Sequence, residues 1–460
     1  MISVSVAVLT FVALVLTSST FVGTDQGYEL LPFLPLTYCV SYFIFIRKLV
    51  ISNTFFLTTT FSIVIFGLVC IIGPSIYSLS GYNYQGSRYF YLNPQEIRLS
   101  ILLIAYSIFF GFLSLRFSTL VFGNFKKVKV KESFLEGNKI FYLAFIFSVF
   151  ICYFLIAKGT GLVSFFVVAK STVAKHDIGV VELLLRQSLV ISMAIIFLWG
   201  IHRANVYEQL NEQKRFFIVL FLGILLVGMI VGGRRSVQLF TSVLAAVFII
   251  ERFPKYKLRT LFAIFGTSAI VIVAVTLHRW FGSLDGGSAS LGVEFWALYF
   301  QTYFAGPDSV ATPMSFFRDV QPDNWLILFD FARSIFGLSQ LLKDVSLTTS
   351  QLYNYDLYFG EQITGQLIFA PVYGYYYLGF LFSPIIIGLN VLLCALFEKL
   401  FSTSRSLEFK FLWLYCFLRV AFNLMVNTPT IITVVTLFIG TMGLLFLSSF
   451  YINRLRVRCY

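Results

Sequence analysis

The chain has 460 residues, 58% of them hydrophobic and 12% charged, and a formal net charge of +13. That much apolar surface exceeds what one soluble core can bury, and the apolar runs approach bilayer-spanning length, so an ordinary soluble enzyme is excluded and an all-α polytopic membrane protein is predicted. The 55 Phe and 25 Tyr suit lipid-facing packing and interfacial anchoring, while six scattered cysteines without C-x-x-C spacing or a nearby His argue against a disulfide framework or a zinc site.

In chain order, apolar runs fall near 2–22, 30–46, 55–73, 99–122, 140–157, 183–201, 216–231, 237–250, 260–277, 371–397, 411–426 and 431–450. They predict about twelve transmembrane helices, two of them short, in one integral membrane domain over 1–460. The first run lacks a basic leading region and a clear cleavage site, and is read as a retained first span. Every second connection is basic: "RK" at 47–48, "KKVKVK" at 126–131, "HRANVYEQLNEQKR" at 202–215, "ERFPKYKLR" at 251–259, "EKLFSTSRSLEFK" at 398–410 and "NRLRVR" at 453–458. Placing these six in the cytoplasm gathers most of the Lys and Arg there and a minority of the Asp and Glu, a positive-inside arrangement with both termini cytoplasmic. The net charge is then a topology signal; the expected partner is the lipid bilayer, and nucleic acid is not one.

Three outward segments are more than turns. Residues 73–98 are polar and rich in Tyr, and 158–179 reads as an interfacial helix. The third, 278–366, is too long for a simple connection, and long loops of this kind are often functional. Within it, 325–342 ("WLILFDFARSIFGLSQLL") reads as an amphipathic helix lying in the plane of the membrane or re-entering it. A crossing there would reverse the side of every later loop. Asp330 and Arg333, spaced to pair on one helical face, also oppose lipid burial.

No Walker, H-E-x-x-H, G-x-S-x-G or D-x-D motif is present, which argues against an ATPase, a metalloprotease, a serine hydrolase and a metal-dependent sugar-nucleotide transferase; no metal or other cofactor is expected. What the outward face does offer is cationic. Arg234 and Arg235 sit in "GMIVGGRRSVQLF" at 228–240, the turn between the seventh and eighth spans, and Arg279, Arg318 and Arg333 follow on the same side; Arg419 interrupts the eleventh span. A guanidinium presents a planar fork of donors that fits phosphate oxygens, so clustered outward arginines point to a lipid-linked phosphate or diphosphate. The alternative is pairing with Asp285, Asp308, Asp319 or Asp330. His278 and Glu294 are the outward groups able to act as a general base toward a sugar hydroxyl, or equally plain hydrogen-bonding residues. In "QLYNYDLYFGEQ", Tyr353, Tyr355 and Tyr358, with Asn354, Asp356 and Glu361, could stack on and hydrogen-bond a glycan, or form an aromatic belt.

With these residues in view, the chain resembles the Wzy-type oligosaccharide repeat-unit polymerases. The resemblance rests on "MIVGGRRS" at 229–236, which is similar to that family's apolar-Gly-Gly-basic turn. It is supported by "LHRWFG" at 277–282 and by "GQLIFAPVYGYYYLGFLFSPIIIG" at 365–388, which looks like the stretch entering a late helix. It implies a GT-C-like, metal-independent membrane glycosyltransferase at the outer face of a bacterial inner membrane. Such an enzyme polymerises undecaprenyl-diphosphate-linked oligosaccharide repeat units into an O-antigen, capsule or exopolysaccharide, with a chain-length regulator protein as a further partner. Under it the arginine of the Gly-Gly turn carries over to Arg234, with Arg235 beside it, and Arg279 more loosely. Membrane O-antigen ligases share the plan, and a lipid-linked oligosaccharide flippase is the competing reading from a different class.

Overall fold

The structure, a computed structural model, describes residues 2–18, 27–52, 55–81, 92–123, 135–156, 180–206, 211–228, 235–281, 293–361, 363 and 365–458. The described residues are helical, without a strand; a β-bridge joins Phe369 to Val426. In order the helices are α1 (Ile2–Ser18), α2 (Tyr28–Ile51), α3 (Phe56–Leu79), α4 (Pro94–Val121), α5 (Lys139–Ile156), α6 (Val180–Val206), α7 (Glu212–Gly228), α8 (Arg235–Arg252) and α9 (Lys257–Phe281). There follow α10 (Val293–Tyr303), α11 (Pro307–Val320), α12 (Leu326–Arg333), α13 (Leu338–Leu341), α14 (Thr349–Leu357), α15 (Ala370–Phe382), α16 (Ile385–Thr403), α17 (Leu407–Ala421) and α18 (Thr428–Leu455).

Among the described residues, seven helical stretches are long and apolar enough to cross a membrane: α2, α3, α4, Leu184–Ala204 of α6, Pro254–Val273 leading into α9, α16 and α18. The chain is thus a helical polytopic membrane protein. The shorter apolar helices α1 and α5 match the expected runs at 2–22 and 140–157. Three other expected spans look different. The runs at 216–231 and 237–250 correspond to α7 and α8, of 17 and 18 residues, which open on charged residues. The run at 411–426 corresponds to α17, which ends at Ala421 and unwinds before Thr428.

The run at 371–397 is not one straight helix. Gly379 has φ 71° and ψ 174°, a region open essentially only to glycine, and there the helical path of α15 is interrupted. The chain folds back so closely that a Cβ on Gly374 would stand 2.1 Å from the Ser383 carbonyl oxygen. α15 and the start of α16 therefore form a tight reversal.

The amphipathic segment expected over 325–342 is two pieces. α12 is eight residues long and α13 four, with the break at Ser334–Gly337, where Gly337 takes φ 93°. Among its described residues the 278–366 stretch carries five complete helices, α10 to α14, rather than an open loop. The interfacial helix expected at 158–179 lies outside the described residues.

Two compact units are distinguished. The first comprises Met1–Val128, Ala289–Lys399 and Cys416–Leu437. Its longest helix is α4, 28 residues or about 42 Å. Asn93 caps it by accepting from the Gln95 N–H at 3.0 Å, with Pro94 at the first helical position, where its missing N–H has no helical partner to lose. α4 packs against α2, α11 and α15. Phe112 on α4 meets Tyr38 and Phe66 with ring centroids 5.6 and 5.0 Å apart. The start of α3 is fixed by an acid from the far end of the sequence: the Glu398 carboxylate accepts from the N–H groups of Leu57 and Thr58 at 3.0 and 2.8 Å and from the Thr58 hydroxyl at 2.7 Å. A negative charge at a helix N-terminus satisfies orphan donors and complements the dipole.

The second unit comprises Lys129–Ser288, Leu400–Tyr415 and Phe438–Tyr460. Val149 of α5 and Leu189 of α6 centre one of its apolar clusters, with Phe145, Tyr153 and Leu185 packed on them. Two buried charged residues there have polar partners. Glu408 accepts from the Gly137 N–H at 2.8 Å and from the Ser406 hydroxyl at 2.6 Å, and Lys410 bonds Glu251 at 3.0 Å.

Candidate functional site

Two places concentrate polar chemistry, one in each unit. In the second unit the turn that carries Arg234 and Arg235 joins α7 to α8. Residues 229–234 lie outside the described residues, and Arg235 is the first residue of α8. The sequence behind it places Gln238, Thr241 and Ser242 in the next two turns, and all three are buried, at 1%, 2% and 0% exposure. Gln238, Thr241 and Ser242 recur at i, i+3 and i+4, so these three share one face of the helix. An arginine at a helix start adds positive charge to an end already positive, and with the free N–H groups there this is an anion-attracting arrangement.

In the first unit, irregular backbone is held inside an apolar bundle. Residues 422–427 are unwound between α17 and α18, and 366–369 run extended into α15. The two stretches meet: the Ala370 N–H donates to the Met425 carbonyl at 2.7 Å and the Asn427 N–H to the Ile368 carbonyl at 3.2 Å. Asn390, fully buried in α16, donates through Nδ2 to the carbonyls of Leu424 and Val426 at 2.9 and 2.8 Å, and its Oδ1 accepts from the Thr428 hydroxyl at 2.8 Å. Asn427 reaches the Ser350 hydroxyl at 3.1 Å, and Asn354 closes a two-way pair with Gln366 at 2.6 and 3.0 Å. Non-helical backbone at membrane depth is tolerated only where such partners, or a water-lined cavity, satisfy it.

Asp330 anchors the other side of this network. Its carboxylate accepts from the Thr349 N–H at 3.0 Å and the Tyr373 hydroxyl at 2.8 Å, and it is 4% exposed. Burial pushes its carboxyl above the usual range, against the lowering effect of those hydrogen bonds and of Arg333. The expected pairing partner, Arg333, instead donates to the Ser346 carbonyl at 2.5 Å and lies beside the Phe329 ring.

The remaining sequence candidates are dispersed. Arg318 ends α11 on the surface, where it bonds Glu96 at 2.7 Å and Asp319 at 3.1 Å, so its guanidinium is committed to carboxylates. Arg419 is half-buried in the last turn of α17, one turn before the unwound stretch; its carbonyl accepts from Asn423 at 2.7 Å. His278 and Arg279 fall in the last turn of α9, and Glu294 in the first turn of α10. Tyr353 is buried against Phe316, with ring centroids 5.5 Å apart, and so is core packing rather than a presented ring. Tyr355 and Glu361 are exposed and Tyr358 is half-buried.

Sequence reasoning missed Asn390, Asn423 and Asn427. The signal was there in "NLMVNTPT" at 423–430, where two Asn and a Pro interrupt an otherwise apolar stretch. It also passed over Asp308 except as an arginine partner. Asp308 is 1% exposed in the first turn of α11, accepts from the Tyr28 hydroxyl, and donates its N–H to the Gln301 side chain at 3.1 Å. Comparison with protein-family models, with curated proteins and with solved structures finds no match to this chain.

Proposed function

We propose that the protein is a metal-independent membrane glycosyltransferase of the outer face of a bacterial inner membrane, which polymerises lipid-diphosphate-linked oligosaccharide repeat units into a surface polysaccharide. The observation that carries this reading is the Arg234–Arg235 pair of the sequence, of which Arg235 is the first residue of α8, followed by a buried polar face of Gln238, Thr241 and Ser242. Guanidinium forks and helix N-terminal N–H groups both favour a phosphate, and both become more favourable as a departing diphosphate gains charge. Arg419 beside the unwound stretch of the first unit is a second cation in a polar setting. The similarity of "MIVGGRRS" to the polymerase turn supports the same assignment.

A carrier of lipid-linked oligosaccharides is the second reading, favoured by the interrupted α17–α18 segment, since discontinuous helices near mid-bundle are a common basis of transporter sites. The surface glycan of a deletion strain separates the two. Single repeat units still attached to their surface acceptor, with the ladder of longer chains gone, support the polymerase. Loss of all attached glycan overturns it in favour of a carrier or a ligase.

A further inference from the structure

In the second unit the turn from α8 into α9 packs on the start of α7. Phe216 of α7 stacks on Tyr256 with ring centroids 4.4 Å apart and meets Phe253 at 5.8 Å. The two ends brought together, 212–216 and 251–259, hold six basic residues, Lys214, Arg215, Arg252, Lys255, Lys257 and Arg259, against Glu212 and Glu251. Glu251 is engaged by Lys410, and Arg215 donates to the Ala204 carbonyl at 2.9 Å. Lys214, Lys255, Lys257 and Arg259 are exposed, and among the described residues no carboxylate pairs with them. The Lys255 ammonium and the Arg259 guanidinium lie 6.0 and 5.6 Å from the centre of the Tyr256 ring, so the ring that packs on Phe216 also gathers two cations.

The same residues begin a spanning stretch, Pro254–Val273, which among the described residues is the least buried of the seven. Its inner face is marked by Thr260, Ile264 and Ser268, all buried at four-residue spacing. The opposite face carries Phe262, Ile270 and Val273, which are 80%, 71% and 53% exposed. Between them Gly266 leaves a notch, since a Cβ there would meet nothing within 4 Å. Arg259 stands three residues before Phe262 and therefore on this outer face. From Arg259 to Ile270 the helix rises about 16 Å, the depth of the acyl chains of one leaflet. Exposed cations thus sit at the end of a lipid-facing apolar strip one leaflet deep, a surface complementary to an anionic amphiphile. A second copy presenting the same face would set Lys255 and Arg259 against their own like charges.

We propose that this surface binds an anionic phospholipid of the leaflet it meets, the cytoplasmic one under the positive-inside arrangement, with the lipid phosphate at Lys255 and Arg259 and an acyl chain along Phe262 and Gly266. The lipid is a bound component separate from any glycan substrate, so the proposal stands or falls independently of the enzymatic reading. The test is native mass spectrometry of the purified full chain in neutral detergent, titrated with phosphatidylglycerol or phosphatidylcholine. The expected result is phosphatidylglycerol retained in preference to phosphatidylcholine. Lys255→Gln and Arg259→Gln should each weaken that retention about fivefold, the effect of one basic residue near an anionic surface, and the double variant roughly tenfold or more. Both side chains are exposed, so these variants keep the fold. Lys343→Gln, an exposed lysine of the first unit, removes the same charge elsewhere and should change nothing. Equal retention of phosphatidylcholine, undiminished retention in the double variant, a loss in Lys343→Gln as large as in the double variant, or a mass showing a second copy of the chain in place of lipid would overturn the proposal.

Discussion

Replacing Asn390 by Leu removes three hydrogen bonds from the interior of the first unit while nearly preserving side-chain volume. Two carbonyls, those of Leu424 and Val426, lose their donor, and the Thr428 hydroxyl keeps only the Ile386 carbonyl at 3.2 Å. Side-chain hydrogen bonds in membrane proteins average about 0.6 kcal/mol, so three give a floor of about 2 kcal/mol. Each buried carbonyl left without a partner costs about 1–3 kcal/mol, which for two sets a ceiling of about 6 kcal/mol. The expected loss for Asn390→Leu lies between these limits, and Thr428→Val should add little on top of it because the two side chains share one interaction. Reversible unfolding in mixed micelles, run on both single variants and the double variant, measures this. A loss below about 0.5 kcal/mol for Asn390→Leu, or full additivity with Thr428→Val, would refute the claim that Asn390 holds the unwound backbone.

Gly379→Ala should cost about 1–3 kcal/mol, because φ 71° with ψ 174° is closed to a side chain, and the same unfolding assay reads it. Arg318→Ala should leave polymer formation near normal, since that guanidinium already serves Glu96 and Asp319; loss of long chains in the variant would return Arg318 to the anion site. The raised carboxyl of Asp330 has a definite sign in pH. Because its folded value lies above the unfolded one of about 3.9, its stabilising contribution is full at low pH and is lost as pH rises through the folded value. The stability of the parent chain relative to Asp330→Asn should therefore fall over that interval, and a flat difference in melting temperature across it would contradict the assignment.

Much of the helical plan was legible from hydropathy, because a run of some twenty apolar residues has few structural options beside a spanning helix. α2, α3, α4 and α18 sit where the runs at 30–46, 55–73, 99–122 and 431–450 indicate. The interruptions were harder to read. Gly379 and the 422–427 stretch are set by local backbone geometry and by partners distant in sequence, Ser383 against Gly374 in one case and Asn390 in the other. An average over apolar residues passes across both. Helical spacing suggests a pairing of Asp330 with Arg333, but Thr349 and Tyr373, nineteen and more residues away, supply the carboxylate's hydrogen bonds and Arg333 donates to the Ser346 carbonyl. For the candidate site, residue type revealed the arginines and could not reveal their partners. Arg318 is the example: Glu96, which takes its charge, lies more than two hundred residues earlier.

The central proposal is that Arg234 and Arg235, the second of which opens α8, bind the diphosphate of a lipid-linked glycan as it departs. Its most direct measurement is glycan laddering by the purified chain supplied with a synthetic undecaprenyl-diphosphate repeat unit, comparing the parent with Arg234→Ala, Arg235→Ala and Arg234→Lys. Loss of one transition-state donor slows an enzyme by about 10²–10³, so each alanine variant should insert and purify normally yet make almost no long polymer. The lysine variant, which keeps the charge and loses the fork, should recover little. Near-normal ladders from both Arg234→Ala and Arg235→Ala would contradict the account and leave the pair a structural role.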